Sequence, residues 1–523
     1  MNRGILIAAI LIPAMLFGCS PKSPAALSSN QEPARFVLGD LAITPAAVNT
    51  SEDVTISIPV SNVGGAEGIY TAVFRHKASG GSIWSENVEV TLKPGQTKTA
   101  TLTRTPKESG KYHVNVNDKF GQYTVAARIT DKPFCRQTRI ELVTNNAATL
   151  NPKGGHQARI VRTQDGVFAV YIVQGSQEYN HIWHLVKRQP DGAWAVIAKG
   201  EAGIFPANLL ASPDGTLHVI GWFKGGMMWS GKPKDGTLAM TSAIIPNITG
   251  DSPYTSAGID AGGNICVLAS DCGPLGEGKF RWAYYAASQS QWVTRTNEFD
   301  YRYCFTYVFP GPDGKLSLVS NRDVKWSVLG YAQPPGSFGF VFNAIRYWRT
   351  NDVSSETIKE LSYAEEIPTD QHPYPWLKSQ DAYLDTKDRM HIIYERSGAT
   401  TGGGSQTRHR IVSAAGTTLF DEKLPISKEA GQFCRIFQDS KERFYLLGSS
   451  ALLYPMDQEG RSLGAPMKLD LEGHEVMQQG GYSLSVPRTG TPLSDVMDVG
   501  FVSDKFESWS YFRLDFSGEK GNK

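Results

Sequence analysis

Net charge is almost absent from this chain: 52 Lys and Arg stand against 51 Asp and Glu, a formal +1. That balance excludes a protein steered to nucleic acid by a basic field. Charged residues make up only 20% of the chain against 41% hydrophobic, so the composition of a disordered polymer is excluded as well. The six cysteines form no C-x-x-C pair, which argues against a structural zinc site. No H-E-x-x-H, phosphate-loop or G-x-S-x-G pattern occurs, so the common metalloprotease, nucleotide and esterase signatures are missing. No metal and no cofactor are expected. The apolar run from Ile5 to Phe17 is too short for a membrane-spanning helix. What is abundant is Gly (52), Pro (29) and aromatic residues (11%), a mixture suited to short strands and tight turns. The expected fold class is all-β, and 523 residues allow roughly two to four domains.

The first twenty residues carry a short positive start, that apolar run, and then Gly18-Cys19-Ser20. Leu16-Phe17-Gly18-Cys19 resembles the bacterial lipobox. The resemblance implies a signal peptide over 1–19, lipidation at Cys19, and an extracytoplasmic protein anchored to the cell membrane or outer membrane. Residues 20–34 have no apolar periodicity and read as a flexible tether. Five cysteines follow Cys19, an odd number that leaves at least one thiol outside any internal pairing. Spacing allows one disulfide among Cys266, Cys272 and Cys304 and leaves its pairing open.

From residue 35 to about 127, apolar and polar residues alternate in short runs such as Val54-Thr-Ile-Ser-Ile-Pro-Val60. Period two means half-buried strands, and about seven of them in some ninety residues fit a β-sandwich. Phe36-x-Leu38-x-x-Leu41-x-Ile43-x-Pro45, Val54-x-Ile56-x-x-x-Val60-x-Asn62-x-Gly64, Leu92-x-Pro94-Gly95 and Gly110-x-Tyr112-x-Val114 resemble the CARDB family of surface proteins. That resemblance implies an Ig-like spacer or adhesion unit with no catalytic residues.

Beyond residue 150 a polar turn followed by an apolar strand recurs, with starts at 163, 212, 260, 311, 385 and 439. A repeat near fifty residues with several strands in each is the mark of propeller blades. A degenerate seventh unit follows at Tyr482 to Val486, Val496 to Val502 and Trp509 to Phe516, and Gln137 to Val143 can supply its missing outer strand. The expectation is therefore an Ig-like β-sandwich (35–127) followed by a seven-bladed β-propeller (137–517). The Asp-Gly turns and Trp-bearing outer strands resemble the sialidase-like, BNR-repeat propellers of glycan-active proteins. Arg159-Ile160-Val161 departs from the Arg-Ile-Pro expected of a sialidase, and no complete Ser-x-Asp-x-Gly-x-x-Trp box is present. The resemblance thus implies a fold and not a reaction.

Extra chain lies between the fourth and fifth repeats and is rich in aromatics, the place where function tends to sit. Arg suits anionic sugars through paired hydrogen bonds, and aromatic rings stack on pyranose faces. On that chemistry the candidate ligand-binding residues are Arg302, Arg322, Trp326, His372, Tyr374, Trp376, Arg396 and Arg435, with Asp323, Asp381, Glu395 and His409 also expected near the axis. No catalytic residue can be named. The leading expectation is a surface lipoprotein that recognises an extracellular glycan. A glycoside hydrolase or polysaccharide lyase is the second reading, and a scaffold for a surface protein the third.

Overall fold

The computed structural model describes residues 32–518, apart from 79–82, 131–132, 149–153, 176–180, 204–205, 223–224, 235–236, 249–253, 273–276, 356, 366–375, 399–403, 427–432, 478–480, 504 and 506. Cys19, His372 and Tyr374 therefore lie outside the described residues. Every long element is a strand, and the chain is all-β as its composition predicts. No helix among the described residues is long and apolar enough to cross a membrane.

The first unit consists of two sheets. One pairs Val54–Asn62 with Phe36–Leu38, Ala42–Thr44 and Thr97–Arg104; the other runs Ala47–Asn49, Lys119–Ala126, Gly110–Val116, Gly68–Ala78, Ile83–Leu92. Val54–Asn62 alternates buried and half-buried positions along all nine residues, the burial signature of a strand with one face on a core. Its buried members Val54, Ile56, Ile58 and Val60 pack against Ala72, Phe74, Leu92, Val114 and Tyr123 of the other sheet. Each such large side chain stabilises the fold by roughly 1.5–3 kcal/mol on burial. Asn62 is fully buried and uses its whole amide. Its Oδ1 accepts from the backbone N–H of Arg35 (3.2 Å) and Gly64 (3.0 Å), and its Nδ2 donates to the carbonyls of Ala66 (2.7 Å) and Leu92 (3.1 Å). A Cβ at Gly64 would stand 2.2 Å from the Pro33 carbonyl oxygen, so only glycine permits this crossing.

The second unit is a succession of seven antiparallel sheets, six of four strands and a last one of five. Their first strands are Ile160–Thr163, Asn208–Ala211, Tyr254–Ile259, Tyr303–Pro310, Trp376–Leu384, Arg435–Gln438 and Tyr482–Leu484. The first hairpin of each of the first six sheets turns at the recurrent motif. In four of them a glycine takes the positive φ: Gly166, Gly215, Gly263 and Gly314. In the fifth and sixth Asp388 (φ 58°) and Glu442 (φ 59°) take it instead. Asp385 and Asp439 hold those two turns, their Oδ1 atoms accepting from the N–H of Lys387 and Arg389 (3.0 and 2.8 Å) and of Lys441 and Arg443 (2.9 and 3.0 Å).

Neighbouring sheets share cores, and the series returns to its start. Phe168 and Trp183 of sheet one pack with Leu209 and Val219 of sheet two; at the other end, Ile160 and Tyr171 of sheet one pack with Val502, Trp509 and Tyr511 of sheet seven. Arg136–Gln137 and Glu141–Thr144 pair with Trp509–Asp515, so the outer strand of the last sheet comes from chain that precedes the first, as its sequence suggests. Polar groups tie the same seam. Asp498, fully buried on sheet seven, accepts from Arg162 of sheet one through Nε (2.8 Å) and Nη2 (2.5 Å). Arg188 of sheet one donates to Glu141 of the outer strand at 2.7 and 2.5 Å.

The cysteine expectation is corrected. Cys266 is a free thiol in the core between sheets three and four, no disulfide joins it to Cys304, and the side chain of Cys272 lies outside the described atoms. Packing, not oxidation, explains their burial: the Cys266 thiol is held above its ordinary range by burial alone.

Candidate functional site

Strand register brings most of the candidates to one rim. Tyr303 opposes Arg322 in sheet four, and Trp376 and Leu377 oppose Ser397 and Arg396 in sheet five. Arg302, Arg322, Trp376 and Arg396 thus share the end at which first strands begin and second strands finish, and Arg435 begins the first strand of sheet six. His409 does not belong there. It sits on the third strand of sheet five, fully buried, its Nε2 3.1 Å from Nδ1 of His391.

Two first strands carry a bulge at this rim. The register of Tyr303–Pro310 shifts between Cys304 and Tyr307, and that of Trp376–Leu384 between Ser379 and Asp381. Bulges re-aim side chains. At the first, Phe305 adopts φ 56°, and its half-buried ring comes within 5.8 Å of Phe342 and 5.4 Å of His156, centroid to centroid. Phe342 lies 4.7 Å from Trp376 and 6.4 Å from Phe338, which in turn lies 5.9 Å from Phe340. The result is a continuous aromatic wall, with Phe338 59% exposed at its outer end. Lys378 stands over it, its Nζ 5.0 Å from the Phe305 ring and 5.4 Å from Phe342, and Arg302 covers Phe340 at 4.9 Å. The wall is pinned from below: Leu377 N–H donates to the Phe342 carbonyl (2.6 Å), and the buried Asn321 amide brackets Ser379 at 2.6 and 2.8 Å.

The other candidates have different roles. Trp326 is buried among Val324, Val341 and Leu329, and its indole N–H donates to the Phe338 carbonyl at 2.9 Å, so it supports the wall from behind and offers no face to a ligand. Arg322 is 3% exposed, ion-paired with Glu365 and lying over the Tyr301 ring at 4.6 Å. Arg302 pairs with Asp323 at 2.5 Å. Arg435 is 3% exposed and joins three sheets through carbonyls, donating to Tyr482 (2.7 Å), Cys434 (3.0 Å) and Gln380 (2.5 Å). Phe305 and Lys378 were not among the sequence candidates; Phe305 lies in the aromatic-dense stretch Tyr301 to Tyr307, and Lys378 follows Trp376 by two residues.

Electrostatics around His156 and Asp381 are dominated by cations. His156 is fully buried, and its imidazole is driven well below its ordinary range by burial and then by Arg488 and Arg159. Burial, reinforced by Arg435, pushes Arg159 down to about 9. Asp381 is 5% exposed, and burial raises its carboxyl to about 6 against the opposing pull of Arg435 and Arg488. Asp323 is also raised by burial, opposed by Arg302. Among the described residues no group of three or more His, Cys, Asp or Glu is placed to hold a metal ion.

No family model matches this chain, and no curated protein matches it. Among solved structures, a β-glucosidase of Erythrobacter marinus is 15% identical over 18% of this chain and 16% of its own, with a TM-score of 0.17. Saccharomyces cerevisiae Sqt1 is 9% identical over 70% of this chain and 98% of its own, with a TM-score of 0.34. Likenesses with TM-scores this low carry no argument about fold or function.

Proposed function

We propose that this chain is a surface lipoprotein, anchored through Cys19, in which an Ig-like β-sandwich presents a seven-bladed β-propeller that binds an anionic extracellular glycan at the Phe305–Phe342–Trp376 wall. The single observation that carries the binding reading is that wall, partly exposed and overlain by Lys378 and Arg302. Rings stack on the apolar face of a pyranose, and the Lys378 ammonium selects for a uronate, sialate or sulfate group. The propeller reading is supported by seven successive sheets whose shared cores return to the first. The sandwich reading is supported by Asn62 and by the Tyr112 hydroxyl, which donates to the Glu108 carbonyl at 2.9 Å in the manner of a tyrosine corner.

Binding without turnover is favoured because the carboxyls near the wall are engaged. Asp323 is paired with Arg302, and Asp381 accepts from the Ile436 N–H at 2.9 Å inside a cavity of about 10 Å³. A second reading, a glycoside hydrolase or lyase, rests on Asp381 alone, since a carboxyl held at about 6 is suited to proton transfer near neutrality.

The test is a panel of neutral, uronic, sulfated and sialylated polysaccharides offered to the purified protein, with binding and released ends both recorded. Acidic glycans should bind and remain intact. Trp376→Ala should weaken that binding by about tenfold, and Lys378→Ala should weaken acidic but not neutral ligands. Release of products would replace this reading with an enzyme. Indifference to every glycan would replace it with a scaffold for a surface protein.

A further inference from the structure

At the centre of the seven sheets, the segment 154–157 and the turn Pro487–Thr489 come together beside the starts of Arg435–Gln438 and Tyr482–Leu484. Gly155 lies so close to the Arg435 guanidinium that a Cβ would stand 2.4 Å from its Cζ. Between these segments is a cavity of about 10 Å³, lined among others by Gln157, Asp381, Arg435, Ser483 and Arg488. That is room for about one particle of water's size, and no sugar or oxyanion fits.

Its lining is unbalanced in charge. Among the described residues Arg435 donates to carbonyls alone, and Arg488 donates to the carbonyls of His156 (3.0 Å) and Gly155. Carbonyl oxygens satisfy hydrogen-bond geometry and leave both positive charges in place. One carboxyl, that of Asp381, faces two guanidinium groups. Two further donors are unused: the Gln157 Nε2 and the Ser483 hydroxyl are buried, the residues 3% and 5% exposed, and have no hydrogen-bond partner among the described residues. A water molecule would satisfy these donors but not the charge. A monatomic anion would satisfy both.

We propose that this cavity is a binding site for a monatomic halide, chloride under ordinary conditions, held by Arg435, Arg488, the Gln157 amide and the Ser483 hydroxyl. The site is separate from the aromatic wall and stands whether or not that wall binds a glycan. Halide binding is linked to the protonation of Asp381. The charged groups facing that carboxyl are Arg435 and Arg488, and its titratable neighbours Tyr307, Tyr383 and Cys434 all stay neutral because burial raises them. An anion beside Asp381 favours its neutral form, so chloride binds more tightly below pH 6 than at pH 7.5.

Thermal unfolding of the full chain in sodium chloride and in sodium gluconate of equal ionic strength, at pH 5.5 and 7.5, tests the site in solution. The chloride midpoints should rise with the logarithm of concentration above those in gluconate, and more steeply at pH 5.5. A crystal soaked in bromide should show an anomalous peak in the cavity. Ser483→Ala should raise the half-saturating chloride about tenfold, and Arg488→Met should abolish the response. If Arg488→Met does not fold, Ser483→Ala and the bromide map decide. Coincident chloride and gluconate curves at both pH values, bromide confined to the surface, or an unchanged chloride response in Ser483→Ala would each overturn the assignment.

Discussion

Removing the Asp498 carboxyl should open the seam between sheets one and seven and leave the rest of the chain intact. Asp498 is fully buried and accepts four hydrogen bonds: two from Arg162 (2.8 and 2.5 Å), one from the Tyr511 hydroxyl (2.7 Å) and one from the Ser485 hydroxyl (3.2 Å). Asp498→Ala leaves the Arg162 guanidinium without its counter-charge. Breaking a buried pair costs roughly 3–5 kcal/mol, and the Arg162 side chain is 28% exposed, which places the effect at the lower end, about 3 kcal/mol. In an equilibrium constant that is on the order of 100-fold. Global unfolding of a chain with two units need not be two-state, so the informative assay is native-state hydrogen exchange resolved by residue. Amides of Val499–Val502 and Ile160–Thr163 should lose about two decades of protection, while those of Val54–Val60 in the first unit stay unchanged. Replacing both partners, Arg162→Met with Asp498→Leu, should restore much of the loss, because an apolar pair leaves no stranded charge. A loss under threefold at the seam, or an equal loss in the first unit, would refute the idea that this pair holds sheets one and seven together. The exposed pair Arg104–Glu86 is the control: its side chains are 28% and 46% exposed, and Glu86→Ala should cost less than about 1 kcal/mol.

Other perturbations give equally definite outcomes. His218 is 8% exposed, its ring bridging Ser212 and Ser230 at 2.8 Å each, and burial holds it at about 4. Its folded value is depressed, so the unfolded chain binds the proton first and stability falls as pH drops from the unfolded value near 6.5 towards 4. Over that window His218 accounts for about 3 kcal/mol, and denaturant titrations at pH 7 and pH 4.5 should show a smaller pH-dependent loss in His218→Gln. His391 and His409, both depressed by burial, add to the same acid sensitivity. Asn62→Ala should cost about 3 kcal/mol by leaving two carbonyls, that of Leu92 buried, and two N–H groups without their partner, read as a lower urea midpoint of the first unit.

The candidate site was only half legible before folding. Aromatic density between residues 301 and 376 pointed to the rim that carries the aromatic wall, and Arg302, Trp376 and Arg396 lie on that rim. Trp326 illustrates the limit. Its side chain type and loop position are those of a binding residue, yet a two-stranded pairing of Val324–Lys325 with Phe340–Val341 folds it inward. Arg435 reads locally as a cation for a ligand, but its partners Gln380 and Tyr482 are 55 and 47 residues away in the chain. Phe305 reaches the wall because of a bulge and a positive φ, neither of which has a composition signal in this stretch.

What the sequence determined by itself was everything that depends on neighbours a few residues apart. Period-two alternation set the strands, and the recurrent polar turns set the hairpins. A fifty-residue spacing set their grouping into repeated sheets, because pleat and turn geometry are local properties of the backbone. The tertiary structure alone decided which of those strands met. The pairing of Arg136–Gln137 with Trp509–Asp515, the seam at Asp498, the aromatic wall and the cation-rich cavity all join residues far apart in the chain. Such contacts form only when the shared cores bring the sheets around to the first, and burial then assigns each polar side chain its partner, since a buried charge or amide without one is costly.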